Sequence, residues 1–296
     1  MQKFNMPSMA AQLRWLSIVL LLALAGCSSL RLAYNHGDTL LYWWINGYVD
    51  LDAGQKPWVK KDIDNLFQWH RKTQLHDYTQ ILQTGQRQLQ ANPGAADLAA
   101  DYDDIRSRTE LLLYKALPEL ADLARSLKPD QIAQLEKKFA DNNADFRKKN
   151  MKGDKEAQQK FRYQKSMEQF ELWFGSFSAD QEAVIRKASD ARPLDNEFWL
   201  EERMRRQRAI VGAVKKVQSE KLSKDATIAL LHGLIRDSFD GPQQPERRQF
   251  VNTYTDATIQ LVLAVIRVAT PAQKTHAQKR MQGWIDDFNS LAAEPR

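Results

Sequence analysis

Cysteine is almost absent from this 296-residue sequence, which contains only Cys27. A single thiol cannot form an intrachain disulfide or build a zinc site from several cysteines. The apolar run from Trp15 to Ala25 is about half of the ~20 residues that a membrane-spanning helix needs, and no second run approaches that length. No segment shows the apolar–polar alternation that is typical of a β-strand. The sequence therefore disfavours disulfide-stabilised, membrane-spanning and β-sheet proteins.

Recognisable catalytic and ligand-binding motifs are also lacking. The sequence contains no Gly-rich phosphate loop and no Gly-x-Ser-x-Gly nucleophile elbow. His70 and His76 are six residues apart, so on a helix they point about 120° away from each other, unlike the i, i+4 pair of a helical zinc site. His70 lies in an apolar stripe and is predicted to be a core histidine. We therefore expect no catalytic residue, no metal site and no cofactor.

The N-terminal 26 residues have the organisation of an export signal. Lys3 and Arg14 precede the apolar run, and Leu24-Ala25-Gly26 places small residues before Cys27. This pattern resembles the lipobox of bacterial lipoproteins. The resemblance implies that residues 1–26 are a cleaved signal peptide and that Cys27 becomes the acylated first residue of the mature chain. An ordinary signal peptide with a chance cysteine is the alternative.

The lipobox resemblance also implies a location in the cell envelope. Three acyl chains, the usual lipoprotein modification, hold a protein at a membrane far better than one chain. Ser28 occupies the position at which aspartate signals inner-membrane retention in such lipoproteins, so we expect an outer-membrane protein that faces the periplasm. Export makes nucleic acid an unexpected partner. The expected partners are the membrane, through the lipid anchor, and envelope proteins or anionic lipids.

Residues 27–56 form a membrane-proximal segment rich in aromatic side chains, in which Asp38 is suited to cap a short helix. The aromatic residues are Tyr34, Tyr42, Trp43, Trp44 and Tyr48. Trp and Tyr favour the membrane–water interface, which predicts a helix lying against lipid headgroups. The alternative interpretation makes the same rings the first core element of the folded domain.

Residues 57–296 predict an all-α periplasmic domain, either a multi-helix bundle or an array of helical hairpins. A capping box formed by Asp52 and Gln55, or Pro57 itself, begins a helix whose apolar stripe continues to a predicted end near Asn92. Pro118 is expected to kink a later helix or to begin a new one. Gln, Lys, Arg, Leu and Ala are abundant, and these residues have good helix propensity.

Four similar helix starts recur at intervals of about 50 residues. They are Leu127 to Gln131, Phe177 to Gln181, Leu222 to Ala226 and Ala269 to Gln273, and they predict helices beginning near Pro129, Ala179, Lys224 and Pro271. In three of them a Gln can reach back to the N–H of the capping residue, and the preceding apolar residue can pack over the turn. A repeat of this length suggests stacked helical hairpins. Independent reuse of a good cap is the alternative.

Two resemblances accompany these patterns. The Leu127 and Ala269 copies resemble the Leu-Thr-x-x-Gln motif of periplasmic helical chaperones, over a few residues each. Leu30 to Asn35, Asp38 to Trp44 and Trp69-His70-Arg71 resemble an uncharacterised family of proteobacterial lipoproteins, and that likeness runs from the lipobox to the C terminus. This resemblance implies an exported helical lipoprotein. It carries no activity, and it assigns no functional residue except Cys27.

One basic stretch is a candidate surface for anionic partners. Its members are Arg147, Lys148, Lys149, Lys152, Lys155, Lys160, Arg162 and Lys165. If it binds anionic lipids, its charges are expected on one exposed face while Tyr163, Met167, Phe170 and Phe174 pack inward. The alternative is a solvated helical face that only keeps the protein in solution.

Two functional hypotheses follow. The first is a lipid-anchored, non-enzymatic interaction or chaperone-like module of the cell envelope. The second is an envelope hydrolase acting on peptidoglycan or lipid, with its acid and base drawn from Asp50, Asp52, Asp62 and Asp64. Paired carboxylates of a glycosidase must lie roughly 5 to 9.5 Å apart, which requires a structure to judge.

Overall fold

The computed structural model describes residues 29–294, which form thirteen α-helices and contain no β-strand. The helices are α1 (Ser29–Asn35), α2 (Gly37–Val49), α3 (Gln55–Thr73), α4 (Leu75–Ala91), α5 (Ala95–Lys115), α6 (Leu117–Ser126), α7 (Pro129–Asn150), α8 (Lys155–Phe174), α9 (Ala179–Asp190), α10 (Asn196–Ser219), α11 (Lys224–Asp240), α12 (Pro245–Val268) and α13 (Pro271–Ala293). The predicted all-α, multi-helix class is confirmed.

The predicted helix starts agree with the structure because each depends on a local cap. Helices α7, α9, α11 and α13 begin at Pro129, Ala179, Lys224 and Pro271. The hydroxyl groups of Ser178, Ser223 and Thr270 accept N–H hydrogen bonds from the first turns of α9, α11 and α13. Proline at the first helical position is favourable in α7 and α13, since its missing N–H would have no partner there.

One predicted helix is divided in the structure. The stripe expected to run unbroken to Asn92 is interrupted at Gln74, where α3 ends and α4 begins. The Gln74 carbonyl accepts the N–H groups of both Asp77 and Tyr78, which marks a tightened turn. Leu75 is buried directly after the break. The turn redirects the chain so that α4 packs along α13.

The core lies in three clusters of apolar side chains. The first joins α2, α3, α6, α7 and α10, and its members include Val59, Ile63, Ile132 and Leu135. The second joins α8, α9 and α12 around Ile185 and Val265, and the third joins α4, α12 and α13 around Leu89 and Ala277. The aromatic-rich helix α2 therefore contributes to the first core cluster.

A reciprocal glutamine pair joins two distant helix junctions. Gln55 at the start of α3 and Gln131 at the start of α7 are both buried and exchange amide hydrogen bonds of 3.1 and 2.7 Å. Each side-chain oxygen also accepts its own capping N–H, from Asp52 and Lys128 respectively. Gln55 donates to the Ser126 carbonyl at the end of α6, which is the helix before α7. Gln131 donates to the Asp50 carbonyl at the end of α2, which is the helix before α3.

A second glutamine pair repeats this arrangement elsewhere in the fold. Gln181 and Gln273 exchange hydrogen bonds of 2.8 and 3.2 Å, and they donate across to the Val268 and Ser176 carbonyls. We call the two arrangements the first and second glutamine clasps. The shared unit is a Gln-containing helix start, and Leu51 to Gln55, predicted only as a capping box, is a further example outside the four similar starts. The Leu222 copy has Ala226 in place of Gln and takes part in neither clasp.

Candidate functional site

Helix α2 is apolar on two opposite faces. Its inner face packs into the first core cluster through Leu41, Tyr42, Ile45, Tyr48 and Val49. On the other side Leu40, Trp43 and Trp44 are 59%, 63% and 61% exposed, and Leu32 of α1 is 63% exposed. We call Leu32, Leu40, Trp43 and Trp44 the outer face. The inner tyrosines of α2 therefore pack as the core interpretation predicts, whereas the tryptophans point to solvent.

Polar contacts fix the inner tyrosines, so the orientation of α2 is well determined. The Tyr48 hydroxyl accepts a 2.8 Å hydrogen bond from Asn142 Nδ2 of α7, and the Tyr48 ring meets Phe139 edge-on. The Tyr42 ring is buried beneath Lys60, whose Nζ lies 4.7 Å from the ring centroid. A helix held in this way cannot rotate to bury its tryptophans without losing these contacts.

A buried arginine ties α1 to the end of the chain. Arg71 of α3 is only 3% exposed, and it donates to Asn35 Oδ1 at 2.7 Å and to the Leu291 carbonyl at 3.2 Å. Glu294 pairs with Arg71 and also with Arg31 of α1, at 3.4 and 2.6 Å. Seven residues are too few for a stable isolated helix, so these contacts give α1 its fixed position.

His70 lies in an aromatic environment between α1 and α4. Its Nδ1 is 2.8 Å from the Tyr34 hydroxyl, and its ring lies 5.5 Å from the Tyr78 ring. Burial lowers the pKa of His70, because the charged imidazolium would lose its hydration. The placement agrees with the prediction of a core histidine.

A small open cavity lies beside the outer face. It has a volume of about 380 Å³ and is lined by Asp38, Thr39, Tyr42, Trp43, Lys60 and Asp64. Within α3, Lys60 and Asp64 are spaced for an i, i+4 ion pair, but Lys60 lies over Tyr42 instead of contacting that carboxylate. The cavity therefore combines charged groups of both signs with an exposed indole.

The four carboxylates considered for hydrolysis lie in different environments. Asp52 accepts N–H bonds at the start of α3 and pairs with Lys128 at 2.8 Å, and these contacts lower its pKa. Burial, together with the charges of Glu119 and Asp122, raises the pKa of Asp62. Asp50 is exposed in the turn after α2, and Asp64 lines the cavity described above. Within residues 29–294 no group of three or more His, Cys, Asp or Glu side chains is placed to hold a metal ion.

The basic stretch divides into an exposed part and an inward part. Arg147, Lys148, Lys149, Lys152 and Lys155 are all exposed at the junction of α7 and α8, and we call them the basic patch. Lys160 and Lys165 are exposed as well, and Lys165 pairs with Glu168, whereas Arg162 turns inward and donates to the Ser189, Arg192 and Pro193 carbonyls at the end of α9. Tyr163, Met167, Phe170 and Phe174 pack into the second core cluster, as the helical spacing predicts.

The predicted lipidation site, Cys27, lies outside the described residues, two positions before α1 begins. No helix within residues 29–294 has the length and apolar character that a membrane span requires. The sequence did not predict that Arg71 is buried and joins α1 to the end of α13, and it did not predict the pairing of the glutamines. The pattern shared by Leu51 to Gln55 and the other Gln-containing helix starts was the available signal for the pairing.

A search of curated proteins finds no match, and a search of solved structures finds none either. A family model described as a family of unknown function, DUF6279, matches residues 47–232. The match contains the whole first clasp and the basic patch, and it begins after Trp43 and Trp44. Because it covers more than half of the sequence, the chain belongs to the DUF6279 family of unknown function.

Proposed function

We propose that this protein is a lipid-anchored, non-enzymatic interaction or chaperone-like module of the bacterial cell envelope. In this proposal acylated Cys27 holds the chain at the outer membrane, facing the periplasm. The outer face of α1 and α2 lies in the membrane–water interface. The rest of the helical array then projects from the lipid surface at a fixed angle.

The exposure of two adjacent tryptophans carries the proposal. Large apolar side chains that share an exposed helix face are uncommon on a monomer and mark contact surfaces. Indole rings favour the interface because they combine an apolar body with a polar N–H. An aromatic side chain buries about 150–250 Å², and at ~25 cal/mol per Å² the burial of one third of that area is worth about 1–2 kcal/mol.

The predicted anchor lies close to this face along the chain. One residue separates Cys27 from Ser29, where α1 begins, and an extended chain spans at most about 7 Å over those two steps. An acylated Cys27 would therefore place α1 next to the lipid. Since α2 follows α1 after a single residue, the outer face would lie near the same surface.

The non-enzymatic part of the proposal is supported by the environments of the carboxylates. Asp52 is used in a helix cap and an ion pair, and Asp62 faces other carboxylates on α6. An assay for suppression of client-protein aggregation tests the chaperone-like role. Hydrolysis of peptidoglycan or phospholipid by the purified chain would contradict it.

The anchor is tested by Cys27→Ser. Serine cannot form the thioether of a lipoprotein, so incorporation of a radioactive fatty acid should be abolished and the chain should be released from the membrane or left unprocessed. Label that persists on the serine variant would show that the lipid is attached elsewhere.

The interfacial contact is tested with the non-acylated chain that starts at Ser28, which contains every described residue. Replacement of Trp43 and Trp44 by Ser should weaken its partition onto phosphatidylcholine vesicles about tenfold or more, since two interfacial rings are lost. The matched control replaces Tyr102 and Ile105 of α5, which are 52% and 49% exposed, by Ser. Equal losses in both variants would contradict a specific outer-face contact, and circular dichroism should show that both remain folded.

A further inference from the structure

We infer that the outer face and the basic patch form one continuous membrane-binding surface, in which the patch binds anionic phospholipid headgroups. The inference rests on the proposed contact between the outer face and lipid. It adds a lipid class and an orientation that the outer face alone does not specify.

The first step is the position of α7 against the C-terminal end of α2. The Gln131 amide at the start of α7 donates to the Asp50 carbonyl at the end of α2. Phe139, eight residues after Gln131, contacts Tyr48, which lies near the end of α2. Helix α7 therefore starts where α2 ends, and eleven residues after Gln131, at Asn142, it is still bonded to Tyr48 near that end. The C-terminal half of α7 then leads from the Tyr48 contact to the basic patch.

The second step connects the two surfaces through specific contacts. The Trp44 ring lies 4.7 Å from the Tyr48 ring, and the Tyr48 hydroxyl is bonded to Asn142 of α7. Lys149 is seven residues beyond Asn142, so it returns to the same face of α7 two turns later, about 10.5 Å along the helix axis. A path from the outer face to the patch thus runs across α7 without leaving its α2 side.

The third step is the charge of the patch. The five members are exposed, and none of them lies within 4.0 Å of a carboxylate in the part of the chain that the structure describes. The nearby Asp154 is used to cap α8, where its Oδ1 accepts the Ala157 N–H at 2.9 Å. The patch therefore presents unpaired positive charge next to an apolar, tryptophan-bearing face.

This combination fits an anionic bilayer better than a neutral one. Basic side chains gain attraction to anionic headgroups only within about a Debye length of the surface, ~8 Å at physiological ionic strength. Interfacial tryptophans would hold the protein within that distance. The occupant of the patch is therefore the phosphate-bearing headgroup layer of the membrane that the outer face contacts.

The test compares vesicles of phosphatidylcholine alone with vesicles that also contain phosphatidylglycerol, using the chain that starts at Ser28. We expect stronger binding to the anionic vesicles and a loss of this preference at high salt. The combined change Lys148→Glu, Lys149→Glu and Lys152→Glu should reduce binding to anionic vesicles about tenfold or more and leave binding to neutral vesicles unchanged. The matched control reverses Lys187, Lys216 and Lys279, which are exposed on α9, α10 and α13.

The outcomes separate this inference from the proposed function. Equal binding of the unmodified chain to both vesicle types, or equal loss in the patch and control variants, would overturn the inference. Either result would leave the outer-face contact intact if binding to neutral vesicles still depends on Trp43 and Trp44. Independence from the tryptophans, together with a retained lysine effect, would overturn the proposed outer-face contact and, with it, the continuous surface, and would leave lipid binding to the basic patch alone.

Continuity of the surface has its own measurement. The chain from Ser28 contains no cysteine, so Lys149→Cys and Lys279→Cys each provide a single position for a nitroxide label. On anionic vesicles the label at position 149 should lose accessibility to a water-soluble relaxation agent, while the label at 279 should not. Unchanged accessibility at position 149 would show that the patch lies away from the membrane.

Discussion

At the scale of single residues, His70 connects α1 to the core. Burial lowers its pKa in the folded protein, whereas in the unfolded chain it titrates near its ordinary value of about 6.5. As the pH falls through that value, the unfolded state takes up a proton that the folded state resists. The contribution of His70 to the free energy of unfolding should therefore be fully present above about pH 7. It should decline as the pH falls below the pKa of the unfolded state.

His70→Gln tests this dependence, because an amide can still hydrogen-bond the Tyr34 hydroxyl but does not titrate. Urea denaturation between about pH 5 and pH 7.5 should show a smaller decline in stability for this variant than for the unmodified chain. The control is His76→Gln, since His76 is exposed and its ring is hydrogen-bonded to the Gln80 side chain on the same helix. If stability falls with pH as steeply in His70→Gln as in the control, His70 is not the source of the pH dependence.

At the scale of elements, sequence predicted helix starts well because a cap is built from neighbouring residues. Ser178 and Gln181 satisfy each other's backbone groups within one turn, so the pattern is visible without tertiary structure. The break at Gln74 was not predicted, since the apolar stripe continues across it and the turn is favoured by packing against α13. Local pattern and tertiary packing thus determine different helix ends.

Helix α2 shows the same division between local and tertiary information. Its aromatic content predicted an unusual helix, but the sequence did not show which rings would face outward. That distinction depends on Asn142 and Phe139, which follow Tyr48 by about 90 residues and hold its ring inward. The two tryptophans then remain exposed because the inner face is already occupied. The candidate site was therefore predicted as a segment, and only the structure defined its exposed surface.

At the scale of the whole molecule, the two glutamine clasps join helix junctions that are far apart in sequence. The members of the first clasp are separated by 76 residues and those of the second by 92. Single capping boxes were predictable, but their pairing was not, because nothing local indicates which box meets which. Three of the four similar helix starts in the sequence belong to the clasps together with Leu51 to Gln55, whereas the Leu222 start belongs to neither.

A double-mutant cycle on the first clasp measures how strongly this pairing stabilises the fold. Gln131→Ala should lower the free energy of unfolding by about 1–3 kcal/mol, because it leaves the buried Gln55 amide and the Asp50 carbonyl without their partner. Gln55→Ala should have a similar effect for the same reason. The double variant should lose less than the sum, with a coupling of about 0.5–3 kcal/mol, since either single substitution already removes the hydrogen bonds between the two amides.

The control for this cycle is Gln282→Ala, which removes an exposed amide bonded to Asp286 and should change stability by about 0.5 kcal/mol or less. Additive losses in the Gln55 and Gln131 variants would show that the two amides act only as separate helix caps. A less-than-additive result would establish the clasp as a tertiary contact. The clasp would then fix the end of α2 against the start of α7, and so set the relative positions of the outer face and the basic patch.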